Sequence, residues 1–214
     1  HACLHKREVK EEHKNVKRLR DQYGHKNIEE LDQTQIQNII GSKKYLGGSI
    51  DWSSGHLHPL NYALGLADAA SNAGVKIFEN SLVEEIEYGQ KTLIKTKTGL
   101  VKTTYTILAF KGNLGNLNSD ISKKVMPINN FIASTEVLDE NKKLNILNKD
   151  VAVADSKFVV NYFRMSKDNR LLFGGGESYG YNFPKNLNST VSKPMLKIFP
   201  QLENVKLEYS WGGT

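Results

Sequence analysis

Cysteine is nearly absent, Cys3 being the only one in 214 residues. A single thiol makes no internal disulfide, no thiolate metal cage and no paired redox motif. Also missing is any apolar run near the roughly 20 residues that a membrane-spanning helix needs. Residues His1 to Arg7 do not read as a signal peptide. These two absences lead us to expect a soluble, cytoplasmic chain with no membrane partner. Nor is charge of one sign gathered anywhere: 29 Lys and Arg stand against 23 Asp and Glu, and the net +6 comes from scattered lysines. That spread lacks the basic stripe with interleaved aromatics of a nucleic-acid face, so no nucleic-acid partner is expected.

What is present is ordinary for a globular protein: 39% hydrophobic and 24% charged residues, enough for one substantial domain or two small ones. Residues 7–22 are dense in Glu, Lys and Arg around a thin apolar stripe of Val9, Val16 and Leu19, a solvated helix ending at Gly24. Asp32 and Gln35 have capping-box spacing ahead of Ile36, Ile39 and Ile40, which predicts a short second helix to Gly41. Between Tyr45 and His58 lie Gly47, Gly48, Ser53, Ser54 and Gly55, breakers enough to predict an irregular, functional loop. Pro59 suits a helix start, and Leu60, Ala63, Leu64, Ala67 and Ala70 form one face up to a stop at Gly74.

Val75–Phe78 then reads as a buried, parallel-type strand, completing an α/β unit. Residues 81–86 give another strand, and Thr92–Thr98, Gly99 and Val101–Phe110 a hairpin. Strand-like runs at 125–137, 158–164 and 170–173, the last two joined by the polar turn Lys167-Asp168-Asn169, predict a separate antiparallel sheet. A helix through Met195, Leu196, Ile198 and Phe199, then Pro200 and a strand over 205–211, close the chain.

The runs Tyr45-Leu46-Gly47-Gly48 and Gly55-His56-Leu57-His58-Pro59-Leu60-Asn61-Tyr62 are similar to the central loop and helix start of the γ-glutamylputrescine oxidase family, within the glycine/D-amino-acid oxidase class. Met126-Pro127, Tyr162-Phe163-Arg164, Arg170 through Gly176, Phe199-Pro200-Gln201-Leu202 and Tyr209-Ser210-Trp211-Gly212 follow in the same order. The resemblance covers nearly the whole chain. It implies a two-lobe α/β flavoprotein in which a Rossmann-like lobe holds FAD and an antiparallel-sheet lobe roofs the substrate. On that basis residues 1–44 are a helical part of the substrate lobe, 45–118 part of the FAD-binding lobe, and 119–214 the sheet of the substrate lobe. It further implies oxidation of a carbon–nitrogen bond of a small amine or amino acid, with hydrogen peroxide and, after imine hydrolysis, an aldehyde as products. Neither the family's N-terminal G-x-G-x-x-G fingerprint nor its C-terminal glycine-rich segment stands in these residues. The chain is therefore expected to be an internal piece, inactive by itself.

By the same resemblance Val83 offers its backbone to an adenine edge, although a plain core valine is the competing reading. Ala109 and Gly112 lie where the family approaches the dinucleotide, but Lys111 and Asn113 replace the expected Asn and Tyr. His56 and His58 alternate around Leu57. Without a third ligand they predict no metal; His56 is instead a candidate beside the substrate channel, against a bland role in helix entry. Tyr162 and Arg164, two apart on a strand, share a face, where the guanidinium suits a substrate carboxylate or else a salt bridge within the sheet. Arg170 reads as a solvated strand end and Trp211 as core or a flavin neighbour. No residue is assigned to the chemical step itself. Two rival readings remain: a non-catalytic binding module of the same fold, and a flavin dehydrogenase whose electron acceptor is not oxygen.

Overall fold

The structure, a computed structural model, describes residues 1–214. The chain divides into two compact units, His1–His56 with Ile128–Gly213, and Leu57–Pro127 with Thr214.

The first unit begins with Ala2–Cys3 (β1), Lys6–Tyr23 (α1), Ile28–Leu31 (β2), Gln33–Ile39 (α2) and Gly47–Asp51 (β3). Helix α1 starts where Glu8 Oε2 accepts from the amides of Leu4 (3.1 Å) and His5 (3.0 Å). It stops at Gly24, whose φ of +67° favours glycine. Val16 buries fully from its inner stripe. Helix α2 has the expected reciprocal cap: the Gln35 amide donates to Asp32 Oδ1 (2.8 Å) and the Asp32 amide to Gln35 Oε1 (2.8 Å).

Two expectations change here. The stretch after Tyr45 is not wholly irregular, because β3 is the central strand of an antiparallel sheet ordered β1-β3-β2. Its glycines serve close packing rather than a turn: a Cβ on Gly47 would stand 2.8 Å from Val9 Cγ1 and 2.9 Å from Leu31 O. Cys3 is fully buried in β1, and burial pushes its thiol up to about 11. The irregular part is confined to residues after Asp51, where Oδ1 accepts from the Ser53 amide (2.9 Å) and hydroxyl (2.7 Å), and Oδ2 from Ser54 Oγ (2.9 Å) and His25 Nε2 (3.0 Å).

The second unit contains Pro59–Asn72 (α3), Val83–Glu87 (β4), Thr92–Thr96 (β5), Leu100–Thr103 (β6) and Ser119–Ser122 (α4). Pro59 stands in the first turn of α3, and His58 Nδ1 caps it by accepting from the Asn61 amide at 3.3 Å. The three strands form an antiparallel sheet ordered β4-β5-β6. The expected parallel strand at Val75–Phe78 does not form; this stretch is irregular and exposed, and strand β6 ends at Thr103 rather than running on to Phe110. A strand needs a neighbour for its backbone groups, and none lies alongside 75–78 in this unit. Helix α3 likewise buries no residue.

The first unit resumes with Ile128–Thr135 (β7), Glu140–Leu144 (α5), Val153–Ala154 (β8), Tyr162–Met165 (β9), Leu171–Tyr179 (β10), Leu187–Ile198 (α6) and Leu207–Gly213 (β11). A five-stranded sheet ordered β11-β7-β10-β9-β8 results, every neighbouring pair antiparallel. One face buries Phe131, Ala133, Phe163, Met165, Leu171 and Phe173 in a core shared with Val191, Met195 and Ile198 of α6 and with Phe199. Phe163 stacks on Phe173 with centroids 5.6 Å apart, and Phe199 meets Phe163 edge-on at 5.1 Å. A single Phe here contributes roughly 3–5 kcal/mol by the cost of truncating it to Ala. The small sheet is tied on by a bridge from Ala2 to Asp155 and by the Ser156 amide, which donates to Ala2 O (2.9 Å).

The bonds around Asp51 hold its carboxyl well below the usual carboxylate range, those from Ser53 contributing most. Its stabilising contribution is therefore complete above the unfolded value of about 3.9 and is lost as pH falls towards the folded one. Asp51→Asn should lower stability by about 1 kcal/mol at neutral pH and reduce the loss of stability in acid. Urea midpoints at pH 7 and pH 3 check this; an unchanged pH dependence in the variant would contradict it.

Candidate functional site

Alternation along the five-stranded sheet sorts its residues. The row Ser210, Ala133, Phe173, Phe163 and Val153, buried except at its Ser210 end, faces α6, so the next row must face the other way. That row reads Trp211, Ile132, Gly174, Tyr162, and beside it runs Tyr209, Ser134, Leu172, Arg164. Three aromatic rings and one guanidinium are thus presented on one open face, where Tyr162 and Arg164 are half-buried and Tyr209 and Trp211 exposed.

Gly174 sets the position of the phenol. A Cβ there would lie 2.1 Å from the Tyr162 ring, so the ring occupies the space that any side chain at 174 would need. Partial burial raises the Tyr162 hydroxyl above its ordinary value, which keeps it a neutral donor at physiological pH. Beyond it the ladder between β10 and β7 shifts register between Gly174 and Glu177, with Gly176 at a φ of +86°. Arg164 Nη1 donates to Met165 O at 3.2 Å.

Arg170 is not the solvated strand end its place beside a turn suggests. Its side chain is only 17% exposed, pairs with Asp168 (2.8 Å) and Glu208, and donates to Thr135 O (2.9 Å). The guanidinium also lies 5.3 Å from the Tyr209 ring centre, so it holds that ring at the edge of the open face. Alternation in Tyr209-Ser210-Trp211-Gly212 is the sequence signal that would have placed Tyr209 and Trp211 together outside.

His56 sits elsewhere in the first unit: Nε2 lies 3.1 Å from Asp150 Oδ1, and the ring lines a cavity with Trp52 and Gly55. His58 serves as the cap of α3. No three His, Cys, Asp or Glu side chains gather where they could hold a metal ion. In the second unit Val83 is half-buried on β4, which pairs only with β5 and so leaves one backbone edge outward. Ala109 is exposed, and Gly112 lies in a short 3-10 turn where a Cβ would come within 3.0 Å of Thr214 Cγ2. Lys111 before it adopts a φ of +50°.

Residues 3–214 match the family model described as FAD dependent oxidoreductase. The γ-glutamylputrescine oxidoreductase of Escherichia coli K12 is 37% identical over 194 residues, covering 90% of this chain and 46% of that protein. The chain thus spans about half the length of the curated relatives it matches. Among solved structures, glycine oxidase from Geobacillus kaustophilus superposes with a TM-score of 0.80 at 16% identity, over 99% of this chain and 56% of that one. L-proline dehydrogenase from P. horikoshii does so at 0.78 and 18% identity, over 99% and 58%. With a fold of this class and a family match from residue 3 to the last, the chain belongs to the FAD-dependent oxidoreductases of the glycine/D-amino-acid oxidase type.

Proposed function

We propose that the whole protein oxidises a carbon–nitrogen bond of γ-glutamylputrescine or a related amine that carries a carboxylate, releasing an aldehyde, ammonia or an amine, and hydrogen peroxide. The observation that carries this reading is the pairing of Tyr162 and Arg164 on the open face of the five-stranded sheet. A guanidinium clamps a carboxylate bidentately. The rings of Tyr162, Tyr209 and Trp211 provide an apolar surface along which the methylene chain of a diamine would lie. The similarity to a γ-glutamylputrescine oxidoreductase at 37% identity supports the substrate class. His56 would contribute from the side, held by Asp150.

For FAD, the outward edge of β4 at Val83 fits the hydrogen-bonding edge of an adenine. Gly112, where a Cβ would press to 3.0 Å on Thr214 Cγ2, fits a close backbone approach, with Ala109 just before it. FAD, when bound, takes up the hydride equivalents of the oxidation. In this reading Leu57–Pro127, which carries most of the 45–118 stretch, belongs to the FAD-binding lobe, and residues 1–44 and 119–214 to the substrate lobe. The exposure of Leu60, Leu64, Val75, Ile77 and Phe78 in that unit suits a lobe completed by other parts of a longer protein. A cytoplasmic location fits a substrate of this kind.

In the whole protein, Arg164→Ala should raise KM for γ-glutamylputrescine about 100-fold, the loss of a charged hydrogen-bond pair, with little change for putrescine, which has no carboxylate. Arg164→Lys should recover part of that loss. Equal effects on both amines, read by peroxide release, would contradict the carboxylate role. Gly174→Ala should displace the Tyr162 ring and lower kcat/KM about tenfold, yet cost nothing further in a Tyr162→Ala background. Additive losses in the double variant would mean that Gly174 acts through some other contact.

A further inference from the structure

The open face does not end at the row of Trp211, Ile132, Gly174 and Tyr162. Beyond it β10 carries one extra residue: Gly174 pairs with Ile132 but Glu177 with Asn130, so three residues of β10 advance against two of β7. The extra residue reverses the alternation. Ser178 turns inward, where its Oγ accepts from Nδ2 of fully buried Asn129 (3.0 Å), and Glu177 and Tyr179 point to the same side as Ile132.

Keeping a carboxylate out of the core accounts for the outward turn, but not for what Glu177 meets there. The side chain is half-buried, and its carboxylate accepts from the Tyr179 hydroxyl (2.9 Å), a neutral donor. It takes part in none of the ion pairs of this unit, whereas Arg170 at the start of the same strand is matched by Asp168 and Glu208. The far end of the row is unobstructed, since a Cβ on Gly213, which pairs with Asn130, would meet open space.

Arg164 stands on the same face. Its partner on β10, Leu172, pairs with Ser134, four residues along β7 from Asn130. Strand geometry sets Arg164 and Glu177 about 14 Å apart, and side chains standing perpendicular to the sheet keep their heads at a similar separation. After a hydrogen bond of about 3 Å at each end, about 8 Å remains, roughly the reach of four methylenes between a carboxylate and an ammonium. The rings of Tyr162 and Trp211 lie in the row between.

We propose, resting on the reading of this face as the substrate site, that Glu177 is a specificity-determining residue: it takes the ammonium group of a dipolar amine whose carboxylate is held by Arg164. The face then reads charges of both signs and the distance between them. A longer amine such as γ-glutamylputrescine fits by folding its chain.

The test is calorimetry of the whole protein, without oxygen, with 5-aminovalerate, valerate and pentylamine. 5-Aminovalerate should bind at least about tenfold more tightly than either analogue with a single charge. Glu177→Gln should weaken 5-aminovalerate and pentylamine about tenfold and leave valerate unchanged, and Glu177→Asp should recover part of the loss. Arg164→Ala should weaken 5-aminovalerate and valerate and leave pentylamine unchanged. An unchanged circular-dichroism melt shows that the Gln variant is folded. An unaffected Gln variant, equal losses for valerate and pentylamine in it, no advantage of 5-aminovalerate, or no binding by the parent would each overturn the proposal. Peroxide release from γ-glutamylputrescine by the same preparations tests the oxidase reading separately: its absence beside the expected binding pattern would sink that reading and leave the role of Glu177 standing.

Discussion

The fold of the first unit depends on a single commitment, the burial of Phe163 and Phe173 beneath α6. Once these stacked rings, with Phe199 edge-on, fill the space between sheet and helix, the period of two in β9 and β10 leaves no choice for their neighbours. Tyr162, Arg164 and Leu172 must point to the opposite face. A slip of one residue in both strands would bury the guanidinium and expose Phe163 and Phe173, a change costing about as much as the stability margin of a domain. The open face is thus enforced from behind, by groups that never touch it.

Two features refine that face. Gly174 makes room for the Tyr162 ring, and Arg170 fixes Tyr209 from the flank while tying β10 to β11 through Glu208 and to β7 through Thr135. Buried polar groups beside the sheet gather on Asp155. Tyr45 donates to Asp155 Oδ2 (3.3 Å), as does Asn161 Nδ2 (2.7 Å), and the Asn161 amide binds Oδ1 (2.9 Å), pinning the chain just before Tyr162. Burial and the Asp155 carboxylate together push the Tyr45 hydroxyl far upward, so it acts only as a donor.

Much of this was legible in the residues. Caps announce themselves locally, which is why the ends of α1, the Asp32–Gln35 box of α2 and the Pro59 start of α3 agree with the structure. The Tyr162/Arg164 pairing needs only strand periodicity. What escaped the sequence is what depends on distant partners. Gly47 and Gly48 look like breakers until Val9, Leu31 and His1 are seen pressed against them. Val75–Phe78 has every local mark of a strand, yet strand formation requires a neighbouring backbone that its unit does not supply. Arg170 was misjudged for the same reason: nearness to a turn says nothing of what packs over a side chain.

The central claim is that the open face holding Tyr162 and Arg164 serves amine oxidation by a bound flavin. Its most direct test is the visible spectrum of the purified whole protein, recorded without oxygen before and after adding γ-glutamylputrescine. The account predicts flavin absorption bands that bleach on addition and return with air, and bleaching that slows sharply when Arg164 is replaced by Ala. Flavin bands that persist unchanged with this and with related carboxylate-bearing amines, or a protein that carries no flavin, would contradict it.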